Sequence, residues 1–469
     1  MRGKRTDMVT KSLPGERFTP FSLANKLNTK AILESASFTH GKDRYSILLL
    51  DEAFRVIQEP DRVVLLIDGD TIPSSGGDIL DVLERIASQN PLPPDGIPLP
   101  GAGIGYLGFE FCQRCDTIIM EEQDDEIGVP EAVFIVGHLY IVFDHFTDTI
   151  HIFALNYEEH EIDLDAAVVT VLQRLNDLDF SYLSAPQPAG PSVLITNEEE
   201  TKQSFISGVD KIRQLITEGH LLQAVLSRRL VLESAETTLS VYRRLRSKNP
   251  SPYLFMINFG SFQLVGSSPE SIVRVRDSVA SIRPIAGTRR RGSDRQEDEQ
   301  LRMELLEDAK ERSEHLMLVD LARNDLGRVC VPGSVRVSRL MDVEHFSHVM
   351  HIVSDVVGQI DPVHTRAIEV LRSAFPAGTL SGAPKIEAIK RLSGLEMHKR
   401  SFYGGAVGYI EPDGDLDFCI SIRCALKKED RWYLQAGAGI VYASEAEREW
   451  VETEEKLGAL RAVLEGDQE

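Results

Sequence analysis

Two acidic pairs in this 469-residue sequence have the spacing of a shared helix face: Glu311-Arg-Ser-Glu314, followed by His315, and Glu449-Trp-Val-Glu452. Residues three apart on a helix project side by side. On spacing alone such pairs read as a solvated surface. The run Leu316-Met-Leu-Val-Asp-Leu that follows Glu314 and His315 looks core-bound, however, and carboxylates beside a core are costly unless neutralised. If the two helices face each other, a divalent cation is the natural partner. Few protein oxygens, completed by water and a substrate carboxylate, would suit magnesium.

Glycine-rich turns form a second set: Pro284-Ile-Ala-Gly287-Thr288-Arg, Pro376-Ala-Gly-Thr379-Leu-Ser-Gly, Tyr403-Gly-Gly-Ala and Gly437-Ala438-Gly439. Glycine lets a backbone N–H come close to a ligand oxygen, although each turn alone is equally compatible with plain loop closure. Arg423 closes the apolar run Cys419-Ile-Ser-Ile-Arg423. An arginine facing inward there needs a carboxylate, whether structural or a substrate's. His351, inside Val-Met-His-Ile-Val-Ser, reads as a satisfied core histidine or as a reactive group. Gly103-Ile-Gly-Tyr-Leu-Gly108 matches the dinucleotide pattern, but a proline-rich run precedes it where a strand is required. Cys112 and Cys115 form a lone C-x-x-C with no further ligands at metal-site spacing.

The elements that must carry these residues alternate without strict βαβ order. Strand-like runs are expected at Tyr45–Asp51, Val63–Ile67, Ala132–Phe143, Thr149–Ala154, Leu221–Leu232, Tyr253–Phe259, Phe262–Val265, Tyr403–Glu411, Asp417–Leu426 and Arg431–Ala438. Helices are expected at Leu164–Leu178, Glu198–Glu218, Arg366–Arg372, Gly382–Gly394 and Ala443–Leu464, with one long stretch, broken at most once, over Asp294–Arg323. That mixture predicts an α+β fold with largely antiparallel sheets. The Pro/Gly-rich stretch Ser184–Ser192 reads as a linker, dividing an N-terminal region (1–190) from a C-terminal one (195–469). Formal net charge is −22, which argues against nucleic acid or an acidic membrane as partner. An anionic substrate would then need a locally positive site. No stretch reaches the ~18 apolar residues of a membrane span, and the basic start lacks an apolar secretory core. Five sparse cysteines fit a reducing cytoplasm.

In order and spacing, the strings from Gly266 to Val441 resemble the chorismate-utilising enzymes, and among them the anthranilate synthase large subunits. They are GSSPES, PIAGTRRRG, ERSEHLMLVDLARNDLGRV, HFSHVMHIVSDVVG, FPAGTLSGAPK, SFYGGAVGY, ISIRCAL and QAGAGIV. PFSLANKLNTKAILESASF matches more loosely. The resemblance implies a two-part sandwich of largely antiparallel sheets with helices outside. It implies conversion of chorismate and ammonia to anthranilate and pyruvate, the first committed step of tryptophan biosynthesis.

Carried over by position, Glu314 and Glu452 resemble the magnesium ligands, supported by Glu311 and Glu449. Tyr403, Arg423 and the backbone of Gly437, Ala438 and Gly439 resemble the clamp for the enolpyruvyl carboxylate. Gly287, Thr288 and Thr379 resemble further substrate contacts. Glu270 resembles the acid that protonates the departing C4 hydroxyl, and His351 the histidine linked to pyruvate loss. Ser35, Pro252, Tyr253 and Leu254 resemble a tryptophan feedback site. A separate glutamine amidotransferase subunit is implied, forming a heteromer, expected as a heterotetramer. Sister enzymes that activate water use a lysine where this chain has Gln223. Aminodeoxychorismate synthases use one where it has Ala286. Both absences favour external ammonia as nucleophile. An aminodeoxychorismate synthase and a silent tryptophan-binding subunit are the alternatives.

Overall fold

The computed structural model describes residues 6–37, 41–42, 44–177, 189–345 and 349–466, with backbone alone at 36–37, 41–42 and 95. Most of the proline-rich Ser184–Ser192 stretch lies outside them. Every pairing between named strands is antiparallel. The strands form two layers joined through two long members, Tyr45–Gln58 and Ala132–Asp144. Register shifts between Leu49 and Phe54 bend the first of these, so its two halves can serve different layers. Ala132–Asp144 is buried at every residue, as expected of a strand covered on both faces.

In one layer, Ala31–Glu34 pairs with Tyr45–Gln58 and with Tyr253–Asn258, and Gln263–Ser268, Cys424–Lys428, Arg431–Ile440 and Gln223–Ser234 follow. In the other, Ala132–Asp144 leads through Ile104–Leu107, Ala406–Ile410 and Leu416–Ile420 to Ser271–Arg276. Beyond these lie Val279–Ile282, Val349–Gln359 and the latter's partners Ile285–Arg290 and Arg336–His345. Between the layers, Val231, Phe255 and Leu426 meet Phe134, Val407 and Phe418. Helices Pro20–Leu27, Leu164–Asn176, Thr238–Lys248 and Ala446–Glu465 contribute to an outer core with Trp432.

Four elements differ from the sequence expectation. The 294–323 stretch is two helices, Arg295–Glu307 and Ala309–Gly327, because Asp308 ends the first and caps the second. Its carboxylate accepts from the N–H groups of Lys310 (3.0 Å) and Glu311 (3.2 Å), satisfying donors the new helix leaves open. Residues 382–383 form a short strand, and the helix there is only Lys385–Ser393. Gly103–Gly108 contains a strand, Ile104–Leu107, wedged between two others. A Cβ on Gly105 would lie 2.1 Å from the Val133 carbonyl, so this glycine permits close strand approach rather than nucleotide binding.

One departure from the sequence expectation matters most. Asp417–Leu426 is not one strand: Leu416–Ile420 lies in one layer and Cys424–Lys428 in the other. The chain crosses between them at Ser421–Arg423, where Arg423 takes a left-handed φ of 50°. A second crossing runs alongside, from Gln263–Ser268 to Ser271–Arg276 through Pro269 and Glu270. The two are tied by backbone bonds from Ser267 N–H to the Arg423 carbonyl (3.0 Å) and from Ile420 N–H to the Glu270 carbonyl (3.0 Å).

Candidate functional site

Glu270 and Arg423 therefore sit at paired corners where the layers part. The Thr379 hydroxyl donates to Glu270 Oε1 at 3.0 Å. Burial pushes the Glu270 carboxyl up to about 7, against the Thr379 hydrogen bond and the charges of Arg423 and Lys456. A carboxyl held in that range can donate a proton near neutrality.

Arg423 makes no ion pair among the described residues. Burial works against its charge, and Tyr403, Glu452 and Glu270 lie near enough to favour it. An arginine enclosed this way is prepared for a ligand's carboxylate. Tyr403 is buried beside it, its phenol pushed up to about 12 by that burial.

The glycines complete this side for a topological reason. Strand Arg431–Ile440 pairs with Cys424–Lys428 only as far as Leu434, because its neighbour has by then turned away through Arg423. Gln435–Ile440 thus has an edge facing the corner with no strand beside it among the described residues, and edge N–H groups directed there could receive an anion. A Cβ on Gly437 would lie 3.1 Å from the Tyr403 oxygen, so this stretch approaches the phenol closely. Ala438 points the other way, into a core with Phe205 and Trp450, leaving only its backbone on the site side.

His351 pairs in register with Thr288. Its Nδ1 lies 3.0 Å from the Gly287 carbonyl and 3.0 Å from the Thr288 hydroxyl. Burial holds its imidazole below the usual value, opposed by the Gly287 bond and reinforced by the charge of Arg423. Glu270, Arg423, Tyr403, Thr379, His351, Thr288 and Gly437 thus converge from both layers.

The acidic pairs also meet. Burial raises the Glu314 carboxyl, with Lys310 opposing and Glu311 and Glu452 adding to the rise. Burial likewise raises Glu449, countered by Ser444 and reinforced by Glu452. Helices Ala309–Gly327 and Ala446–Glu465 therefore bring acids of both pairs together, with repulsion that a cation would relieve. Glu311 itself is held by Arg289 at 3.3 Å. Among the described residues no group of three His, Cys, Asp or Glu could hold a metal alone. A cation held by Glu314 and Glu452 would have to complete its shell with water and substrate oxygens, a mode open to magnesium.

Lys456 is the residue that motif reading missed. Its Nζ donates to the Gly437 carbonyl (2.7 Å) and pairs with Glu452 (2.6 Å), linking the acidic side to the glycine edge. Its signal was available, four residues after Glu452 on one helix face. Gln223 is in contact range of Gly439: a methyl added to that glycine would lie 2.6 Å from the Gln223 amide. Ala286 lies opposite Ile352.

Ser35, Pro252, Tyr253 and Leu254 are brought together elsewhere, as lining of a cavity of about 760 Å³. The Tyr253 hydroxyl donates to Asp417 Oδ1 at 3.0 Å. The cavity reaches past Arg274 and Arg276 to Arg283 and Asp355. Cys112 is buried and reduced, and burial raises its thiol. No helix among the described residues is long and apolar enough to cross a membrane.

Residues 38–462 match the family model for chorismate binding enzyme. The chain is 49% identical over 461 residues to anthranilate synthase component 1 of Spirochaeta aurantia, covering 98% of this chain and 95% of the relative. It is 36% identical to that of Acetivibrio thermocellus, over 97% and 95% of the two chains. Among solved structures, anthranilate synthase component I from Streptococcus pneumoniae superposes with a TM-score of 0.78 at 36% identity, over 89% of this chain and 92% of that one. The menaquinone-specific isochorismate synthase of Escherichia coli shares the fold, with a TM-score of 0.73 at 20% identity over 98% and 95%.

Proposed function

The chain belongs to the chorismate binding enzymes, among the anthranilate synthase component 1 proteins, and from that membership we propose that it converts chorismate and ammonia to anthranilate and pyruvate in tryptophan biosynthesis, a lyase reaction in the cytoplasm. The observation that carries this reading is a carboxyl poised near 7 at Glu270, beside an Arg423 that has no ion pair among the described residues, with no lysine at positions 223 or 286. A site with an acid and a carboxylate clamp, but no amine or water-activating lysine of its own, must take its nucleophile from outside.

Glu314 and Glu452 would hold magnesium, with Glu311 and Glu449 in support. The cation would supply charge neutralisation at the ring carboxylate of chorismate. Arg423, Tyr403 and the edge N–H groups at Gly437 and Gly439 take the enolpyruvyl carboxylate, with Lys456 fixing the carbonyl of Gly437. Gly287, Thr288 and Thr379 border the ring. Ammonia adds at C2, and the C4 hydroxyl leaves as water with the proton of Glu270. Loss of pyruvate and aromatisation follow, with His351 beside the C2 side of the site. Fixed donors aimed at developing charge are the chain's main contribution to rate.

A glutamine amidotransferase subunit is the proposed source of ammonia, in a heterotetramer. Tryptophan is the proposed occupant of the cavity at Ser35, Pro252, Tyr253 and Leu254. The test is direct: the purified chain with chorismate, magnesium and an ammonium salt, without glutamine, should release pyruvate and fluorescent anthranilate. A 4-amino product that keeps its enolpyruvyl group would identify an aminodeoxychorismate synthase instead. No turnover by folded protein would indicate a silent tryptophan-binding subunit.

A further inference from the structure

The cavity and the catalytic corner share a wall one residue thick. Pro269 and Ser271 line the cavity. Glu270, between them, sends its carboxyl the other way, to Thr379. The next barrier repeats the arrangement: Asp417 and Cys419 line the cavity on the strand that leads into the Arg423 corner. From these placements we infer that a ligand in the cavity acts on Glu270 directly, by displacing the Pro269–Ser271 wall, rather than through a distant change of layer packing. This rests on the reading of the cavity as a tryptophan site and specifies how that site regulates catalysis.

The wall is tied to the cavity's other lining residues. Tyr253 and Leu254 pair with Ser268 and Ser267, the residues immediately before the wall. The Ser271 hydroxyl reaches the Tyr253 phenol and donates to the Phe418 carbonyl at 3.4 Å. Ser268 donates to the Ile420 carbonyl at 2.6 Å. Ser267 and Ser268 have no exposed surface, so a shift at Tyr253 has no void to disappear into. The ladder between Ser271–Arg276 and Leu416–Ile420 changes register between Ser271 and Val273. That irregularity lets the wall move without dragging the strand behind it. Whatever change the cavity ligand makes in chorismate affinity must be matched by the same factor in the reverse direction, while its effect on kcat is under no such constraint.

Two leucine substitutions test the wall. Ser271→Leu adds bulk at the wall, and Ser281→Leu adds the same bulk to the cavity's far arm. Ser271→Leu should lower kcat about 10- to 100-fold with little change in the KM for chorismate, the cost of misplacing a catalytic group by about 1 Å. Ser281 loses only an exposed hydrogen bond to the Arg274 carbonyl (3.3 Å), so Ser281→Leu should stay within about twofold, as for surface substitutions. Equal effects of the two, or an unaffected kcat in Ser271→Leu, would overturn the inference. Wild-type protein supplies a test independent of folding. Tryptophan binding is measured by calorimetry, and backbone hydrogen exchange is read with and without it. Bound tryptophan should alter exchange at residues 267–271 and 420–423. Tryptophan that binds and inhibits without altering exchange there overturns the shared-wall mechanism alone. Failure to bind tryptophan at all overturns the feedback reading, and the paired leucine variants then judge the wall.

Discussion

Replacing Glu270 with Gln separates catalysis from stability in opposite directions. In the folded chain burial lifts this carboxyl from 4.5 to about 7, and each pH unit of such displacement is worth about 1.4 kcal/mol. That bounds the cost of ionising it in place at about 3 kcal/mol. Discounting for the face that Glu270 keeps toward the opening leaves about 1–3 kcal/mol. The sign follows from proton linkage. Between 4.5 and 7 the folded chain retains a proton that the unfolded chain has released. Stability therefore falls as pH rises through that window and stays low above it. Glutamine has no proton to lose. Glu270→Gln should thus be more stable than wild type by about 1–3 kcal/mol at pH 8, with the gain shrinking toward zero at pH 4.5 and below. Its turnover should drop by about 10²- to 10⁴-fold, the range for losing a general acid. Wild-type activity should decline as pH rises through about 7, and that limb should be missing from the variant. Urea unfolding at the two pH values, beside steady-state kinetics, provides the assay. A stability difference that does not vary with pH, or a variant of near-normal activity, would refute the reasoning.

Three further substitutions probe the other parts of the site. Glu452→Gln should raise the magnesium requirement by about tenfold or more, since even outer partners of a metal ligand carry about 10–100-fold; unchanged equilibrium magnesium binding would remove Glu452 from the cation's shell. In Gly437→Ala the new Cβ would sit 2.8 Å from the Leu226 carbonyl and 3.1 Å from the Tyr403 oxygen. The strand must shift, at about 1–3 kcal/mol of overpacking, which should appear as a raised KM for chorismate; wild-type kinetics would show that this edge does not hold substrate. Ser35→Arg should fill the cavity mouth and abolish inhibition by tryptophan, and an inhibition curve that does not move would place tryptophan elsewhere.

Local chemistry was readable wherever the chain determines it locally. The acidic helix start at Glu198, the apolar run of Ala132–Asp144 and the acid pairs at Glu311–Glu314 and Glu449–Glu452 lie on the elements their patterns predict. What could not be read was anything decided by a distant partner. Asp417–Leu426 is apolar on both sides of Arg423, so its composition hides a change of layer that only the backbone at 421–423 reveals. The single break allowed for in the 294–323 stretch falls at Asp308, a local acidic cap. Gly103–Gly108 lacks the context of a dinucleotide motif, yet what its glycines are for could not be read. Its glycines are demanded by the backbone of Ile135, Val133, Glu131 and Ser401, all distant in sequence. The clamp at Gly437–Gly439 was legible only as glycine. Its open edge exists because the neighbouring strand departs at Arg423, and no feature of either segment alone carries that information.

The interleaving of early and late strands bears on how the chain is made. Ile104–Leu107 is held on one side by Ala132–Asp144 and on the other by Ala406–Ile410. At about 5–20 residues per second, translation needs about 15–60 s to supply the second neighbour. Ala31–Glu34 waits similarly for Tyr253–Asn258. Throughout that interval the nascent polypeptide presents unpaired, apolar strand edges of the kind that seed aggregation. Neither layer can close until the last third of the message has been read. Slowing translation downstream of residue 144 should therefore lower the soluble yield of this chain.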